Sequence, residues 1–128
     1  MQKLRFGGLV VVLLAGGLAA CSNPQAATLT GNPADIGDPS QGQALIEKLG
    51  CGSCHEIPGI VEADGMVGPP LEHMANRQYI AGVLRNTPDG MVRWLRFPQA
   101  VVPGNAMPDL GISDHDAHQV AAYLATLK

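Results

Sequence analysis

Cys51-Gly52-Ser53-Cys54-His55 lies near the middle of a 128-residue chain. It is a C-x-x-C-H run, the attachment pattern for c-type haem. Two thiols at this spacing can add to the two vinyl groups along one edge of a porphyrin, and the imidazole that follows is then held beneath the ring, where it can bind the iron. At this composition the pattern arises by accident on the order of 0.002 times per chain. Two rival readings compete. A dithiol redox pair needs a neighbouring βαβ pattern, and none is visible. A zinc site needs a second pair of ligands at short spacing, and the remaining cysteine, Cys21, is thirty residues away.

The residues around the motif point to a filled centre. The chain is 46% apolar with a mean hydropathy of +0.11, which argues against overall disorder. Its length allows one domain. It has one Trp, two Tyr and two Phe. Phe6 falls in a leading segment, which leaves Tyr79, Trp94, Phe97 and Tyr123 for a core. So small a domain is marginal unless something else occupies its centre, and three cysteines are too few for a disulfide scaffold. A covalent cofactor supplies the missing volume. Lys+Arg 8 against Asp+Glu 11, with no basic cluster, excludes a nucleic-acid partner.

Upstream, residues 1–20 read as an address. Lys3 and Arg5 precede an uncharged run from Phe6 to Ala20, shorter than the about 20 apolar residues of a membrane span but suited to an export signal. Leu18-Ala19-Ala20-Cys21 resembles the lipobox of bacterial lipoproteins, which implies lipidation of Cys21 as the new N-terminus and a hold on the membrane through acyl chains. A secreted protein with an incidental thiol is the other reading. Removal of Lys3 and Arg5 would take the formal charge from −3 to −5. Residues 21–37, rich in Asn, Pro, Thr, Gly and Ala, read as a flexible tether with a reach of roughly 50 Å, and residues 38–128 as the domain.

Downstream, the pattern is helical. Asp38-Pro39-Ser40-Gln41 combines an N-cap, Pro at the first helical position and a capping box, followed by Leu45, Ile46 and Leu49. Thr87 caps a second helix with Pro88 at its first position and Met91, Trp94 and Leu95 on one face, ended by Pro98. Ser113 opens the last helix, where Ala117, Val120, Ala121, Leu124 and Leu127 recur at helical spacing. A short helical turn is expected within 77–84, and no stretch alternates well enough for a strand. The expected class is all-α: three to four short helices and loops wrapped around one covalent haem.

With C-x-x-C-H, Gly68-Pro69-Pro70-Leu71, Gly104-Asn105-Ala106-Met107-Pro108 and Tyr123-Leu124 in this order, residues 38–128 resemble the small class I c-type cytochromes. The resemblance implies the cytochrome c fold, with Cys51 and Cys54 holding the haem and His55 and Met107 on the iron. Met66, Met74, Met91, His73, His115 and His118 compete with Met107. Met107 lies between Pro103 and Pro108, which limit its backbone. The resemblance also implies that the Pro69 carbonyl takes the His55 N–H (Pro70 is the neighbouring choice), that Arg77, Tyr79 and Trp94 face the propionates, and that Gly42 meets Tyr123 where the first and last helices cross.

The function expected is a mono-haem carrier rather than an enzyme. It moves one electron at a time between membrane or periplasmic redox proteins and takes no small-molecule substrate. His/Met ligation favours a high potential. The negative charge favours a partner with a basic docking patch, and the expected location is the periplasmic side of a bacterial membrane, lipid-anchored. Two alternatives remain: an electron-input subunit of an oxidoreductase complex, and an open-site haem sensor or enzyme.

Overall fold

The computed structural model describes Leu29 and residues 31–128. The leading segment 1–20 and Cys21 lie outside the described residues. Among the described residues four helices run in order: α1 (Pro39–Lys48), α2 (Pro88–Arg96), α3 (Pro98–Val101) and α4 (Asp114–Leu124). Single 3-10 turns occupy Pro33–Asp35, Cys51–Ser53 and Met74–Asn76.

The helix starts follow local chemistry. Asp38 accepts from the Ser40 and Gln41 amides at 2.9 and 3.4 Å. The Ser40 hydroxyl and the Gln41 side chain also donate to it, holding its carboxyl below the usual carboxylate range. The reciprocal bond of a capping box is absent, because the Asp38 N–H donates instead to Gln119 Oε1 on α4. Gln119, a buried polar residue, thereby ties the start of α1 to α4. Ser113 caps α4 through the Asp116 N–H at 3.1 Å, and Thr87 caps α2 through the Gly90 N–H at 3.0 Å. Thr87→Ala is expected to cost about 1 kcal/mol, read as a lower urea midpoint with an unchanged slope.

α1 crosses α4 at Gly42, where a Cβ would run into the Gln119 carbonyl and lie 2.9 Å from Tyr123 Cβ. This is the Gly42–Tyr123 meeting that the family resemblance implies. With α1 on one flank and α2 on another, the later part of α4, from Gln119 onward, is covered on nearly all sides. Ala117, Val120, Ala121 and Leu124 are each no more than 3% exposed. The Tyr123 hydroxyl donates to the Pro58 carbonyl at 2.7 Å, and burial pushes its phenol above the usual value.

Three local expectations are corrected. Residues 77–84 contain no helical turn. Instead β1 (Tyr79–Ile80) pairs antiparallel with β2 (Leu84–Arg85). Ala81 and Gly82 both take positive φ, +49° and +74°, which reverses the chain with the right twist for a hairpin. Pro98 does not simply end α2. It is fully buried and starts α3, with its missing N–H tolerated at that position. Finally, the described part of the 21–37 stretch is not a free tether. Leu29 is fully buried and its N–H donates to the Asn86 carbonyl at 2.8 Å. Asn32 caps the turn at Pro33–Asp35, and Gly37 abuts the backbone of His118.

Candidate haem site

Gly50, at φ +71°, ends α1 in the left-handed region and turns the chain directly into the C-x-x-C-H run. The run is one tight turn: the Cys54 and His55 amides both donate to the Cys51 carbonyl, at 3.2 and 3.0 Å. The turn brings Cys51 and His55 to the wall of the same cleft. Cys54 is part of the same turn but is not among the residues that line it. Burial pushes the Cys51 thiol above its usual value, and the neighbouring Cys54 adds to this. The redox-pair reading needs a neighbouring βαβ unit, and the strands among the described residues form one short antiparallel pair. The zinc reading lacks ligands: among the described residues no three His, Cys, Asp or Glu side chains converge.

The loop after the motif folds back over it. The Gly65 amide donates to the Gly52 carbonyl at 3.0 Å, Gly68 to Cys54 at 2.7 Å and Leu71 to Glu56 at 2.8 Å. This carries Pro69 to the His55 ring, where the distance from Nδ1 to the Pro69 carbonyl is 2.7 Å. A carbonyl only accepts, so Nδ1 carries the hydrogen and Nε2 keeps its lone pair. Gly68 makes the approach possible. A Cβ there would lie 2.6 Å from Nδ1 and 2.8 Å from Nε2. Sequence reading named Pro69 but gave Gly68 no role.

Met107 reaches the cleft from a loop between α3 and α4. Trp94 also lines it, beside Met74 and Met91. Met66 is 94% exposed and lies away from it. His73, His115 and His118 are not in the lining. His115 and His118 instead contact carboxylates in the first turn of α4. Arg77 and Tyr79 stand outside as well. The Arg77 guanidinium donates to the Pro70 and Glu72 carbonyls, which braces the loop that presents Pro69. Tyr79 is half exposed, with the Arg85 guanidinium 5.6 Å from its ring centre.

The cleft has a cavity volume of about 50 Å³ and its wall is predominantly apolar. Protein interiors are close-packed and hold few voids larger than a water molecule. An apolar cleft lined by a thiol, a tautomer-fixed imidazole and a thioether has the donor set for a flat macrocycle carrying a metal. The residues present therefore suit haem c.

Asn86 was legible only as the residue before a helix cap. It is 2% exposed, and its side-chain amide donates to the Met74 and Arg77 carbonyls at 2.8 Å each. It thereby pins the wall that carries Met74.

The family model described as Cytochrome c matches residues 39–128. Cytochrome c oxidase subunit 2 of Alkalihalophilus pseudofirmus is 32% identical over 108 residues, covering 80% of this chain and 31% of the relative. The proteins of the same name from Bacillus sp. strain PS3 and Bacillus subtilis are 29% and 30% identical over 92 residues, covering 69% of this chain and 26% of each relative. The chain thus spans less than a third of the length of these relatives.

Proposed function

This chain belongs to the cytochrome c family, and from that footing we propose that it is a single-haem carrier in which His55 and Met107 would hold the iron. A haem c electron-transfer role follows from the family itself. When bound, haem c supplies an iron that passes between ferrous and ferric states.

In the proposal Cys51 and Cys54 hold the macrocycle covalently. The His55 ring offers Nε2, made more basic by the hydrogen bond that Nδ1–H gives to Pro69. Arg77 keeps the Pro70 and Glu72 carbonyls in place and so fixes the strand of loop on which Pro69 sits. Met107 offers its sulfur, and the aliphatic walls, Leu71 and Leu95 among them, exclude water. Trp94 is the propionate donor that the lining supports. Two ligands held by a braced frame move little between oxidation states, as an electron carrier requires.

The observation that carries this reading is the pairing of a Pro69-bound His55 with Met107 on one apolar cleft. Absorption spectra of the purified protein in both oxidation states, beside Met107→Ala, test it. Wild type is expected to be six-coordinate in both states and to leave carbon monoxide unbound. Met107→Ala is expected to bind it readily and to drop in potential by more than about 59 mV, a tenfold change for one electron. Ready carbon monoxide binding by wild type would instead favour the open-site sensor or enzyme.

Next to the motif, Met66 and Val67 are 94% and 70% exposed, with Glu62 and Asp64 just before them. That mixture supports a redox partner with an apolar centre and a basic rim. The relatives favour a second reading, an electron-input subunit of an oxidase complex. Co-purification with a large complex in mild detergent would distinguish it from a free shuttle.

Among the described residues no helix is long and apolar enough to cross a membrane. Export and lipid anchoring at Cys21 remain part of the proposal, supported by the sequence of residues 1–21. The mass of the mature polypeptide tests them.

A further inference from the structure

We propose that Gln99 is the positioning residue that keeps the Met107 sulfur in place; this rests on Met107 being an axial ligand. Residues 102–108 form neither helix nor strand, yet this loop must hold one sulfur against the cleft. The Gln99 amide supplies the missing frame. Its Oε1 accepts from the Gly104 N–H at 3.1 Å, and its Nε2 donates to the Asn105 and Met107 carbonyls at 2.9 and 2.8 Å. One side chain thus commits its acceptor and its amino group to three backbone groups of a single loop.

Asn105 completes the frame from within. Its Oδ1 accepts from the Met107 N–H at 2.8 Å, and its Nδ2 donates to the Pro98 and Val102 carbonyls at 2.9 and 2.7 Å. Both backbone polar groups of Met107 are therefore held by side chains, where a helix or sheet would normally hold them. Asn105 acts inside the loop and on the residue that starts α3. Gln99 reaches the loop from α3 itself, which is rooted by the fully buried Pro98. Two backbone bonds, from the Val102 N–H to the Pro98 carbonyl and from the Asn105 N–H to the Val102 carbonyl, shape the start of the loop; beyond them the segment that carries Met107 is held by Gln99 and Asn105, with Pro103 and Pro108 narrowing its alternatives.

A thioether is a neutral, weak ligand, so an added ligand displaces it whenever the loop swings open. Removing Gln99's three hydrogen bonds should raise the open population about ten- to a hundredfold. Apparent affinity for an added ligand should rise by the same factor.

The test uses the full haem-loaded protein in its ferric form with imidazole as the added ligand. Gln99→Met keeps length and packing but loses all three bonds. Gln99→Glu keeps the acceptor for Gly104 but sets charged oxygens against two carbonyls. Both variants are expected to bind imidazole at least tenfold more tightly than wild type and to weaken the red absorption band of the thioether–iron bond. Gln99→Glu should show the larger effect. A residue that merely fills space would leave Gln99→Met with wild-type affinity and band, and affinity within twofold of wild type overturns the proposal. If Gln99→Met fails to take up haem, Gln99→Glu decides by the same criterion. Met107→Ala separates the two levels. Should it match wild type in both readouts, the ligand assignment fails and takes Gln99 with it. Should it shift both while the Gln99 variants shift neither, Gln99 alone is refuted.

Discussion

Gly68→Ala is expected to unseat the His55 imidazole and lower the melting temperature by about 10–30 °C. The added methyl would lie 2.6 Å from Nδ1 and nearer still to Cε1, far inside van der Waals contact. The ring has little room to retreat, because its Nδ1–H is bonded at 2.7 Å to the carbonyl of Pro69, the next residue. The Gly68 amide is itself committed to the Cys54 carbonyl at 2.7 Å, so the loop is held on the other side too. Overpacking costs about 1–3 kcal/mol and the lost hydrogen bond about 1 more. At 4–8 °C per kcal/mol for a domain of this size, that gives about the drop stated. Gly68 does not have positive φ, so the loss is steric rather than a backbone penalty. Haem-loaded yield should fall with stability, since the imidazole no longer stands where the iron needs it. Met66→Ala in the same loop, at a side chain 94% exposed, serves as the control and should stay within about 0.5 kcal/mol of wild type. A Gly68→Ala protein that melts and absorbs like wild type would mean that the ring does not lie against this glycine.

Gly42→Ala should destabilise the protein by about 2 kcal/mol, although in an exposed helix the same change stabilises. Alanine gains about 1 kcal/mol over glycine in helix propensity. Here the new Cβ meets the Gln119 carbonyl oxygen head-on and lies 2.7 Å from the carbonyl carbon. Both belong to the α4 backbone, which cannot turn aside as a side-chain tip can. α1 must lift away, and the cost of about 3 kcal/mol or somewhat more outweighs the propensity gain. Lifting α1 also pulls Asp38 N from Gln119 Oε1 and loosens Ile46, which is 1% exposed and lines the cleft. Gly42→Val should be worse again. Denaturant midpoints measure both, and a Gly42→Ala protein as stable as wild type would contradict the close crossing of α1 and α4.

These two glycines show how differently the fold and the site can be read. Gly42 was named in advance because the family pattern carries it. Gly68 appeared only as part of a Gly-Pro-Pro run, and its function emerged once the loop was seen lying on the imidazole. Asn86 and Gln99 gave no signal at all. One precedes a cap, the other follows a proline, and each acts through hydrogen bonds to backbone carbonyls six or more residues away. Arg77, which the family resemblance places toward a propionate, braces the Pro70 and Glu72 carbonyls in this structure.

The three helix caps, the tight turn through Cys51 and His55, and the predominantly helical class were written in the chain itself, because each depends on partners within about four residues. The hairpin at Ala81-Gly82, the docking of Leu29 and the frame around Met107 were decided only by folding. Their stabilising partners are distant in the chain or lie in backbone groups that carry no sequence signal, and only the packed fold brings them together.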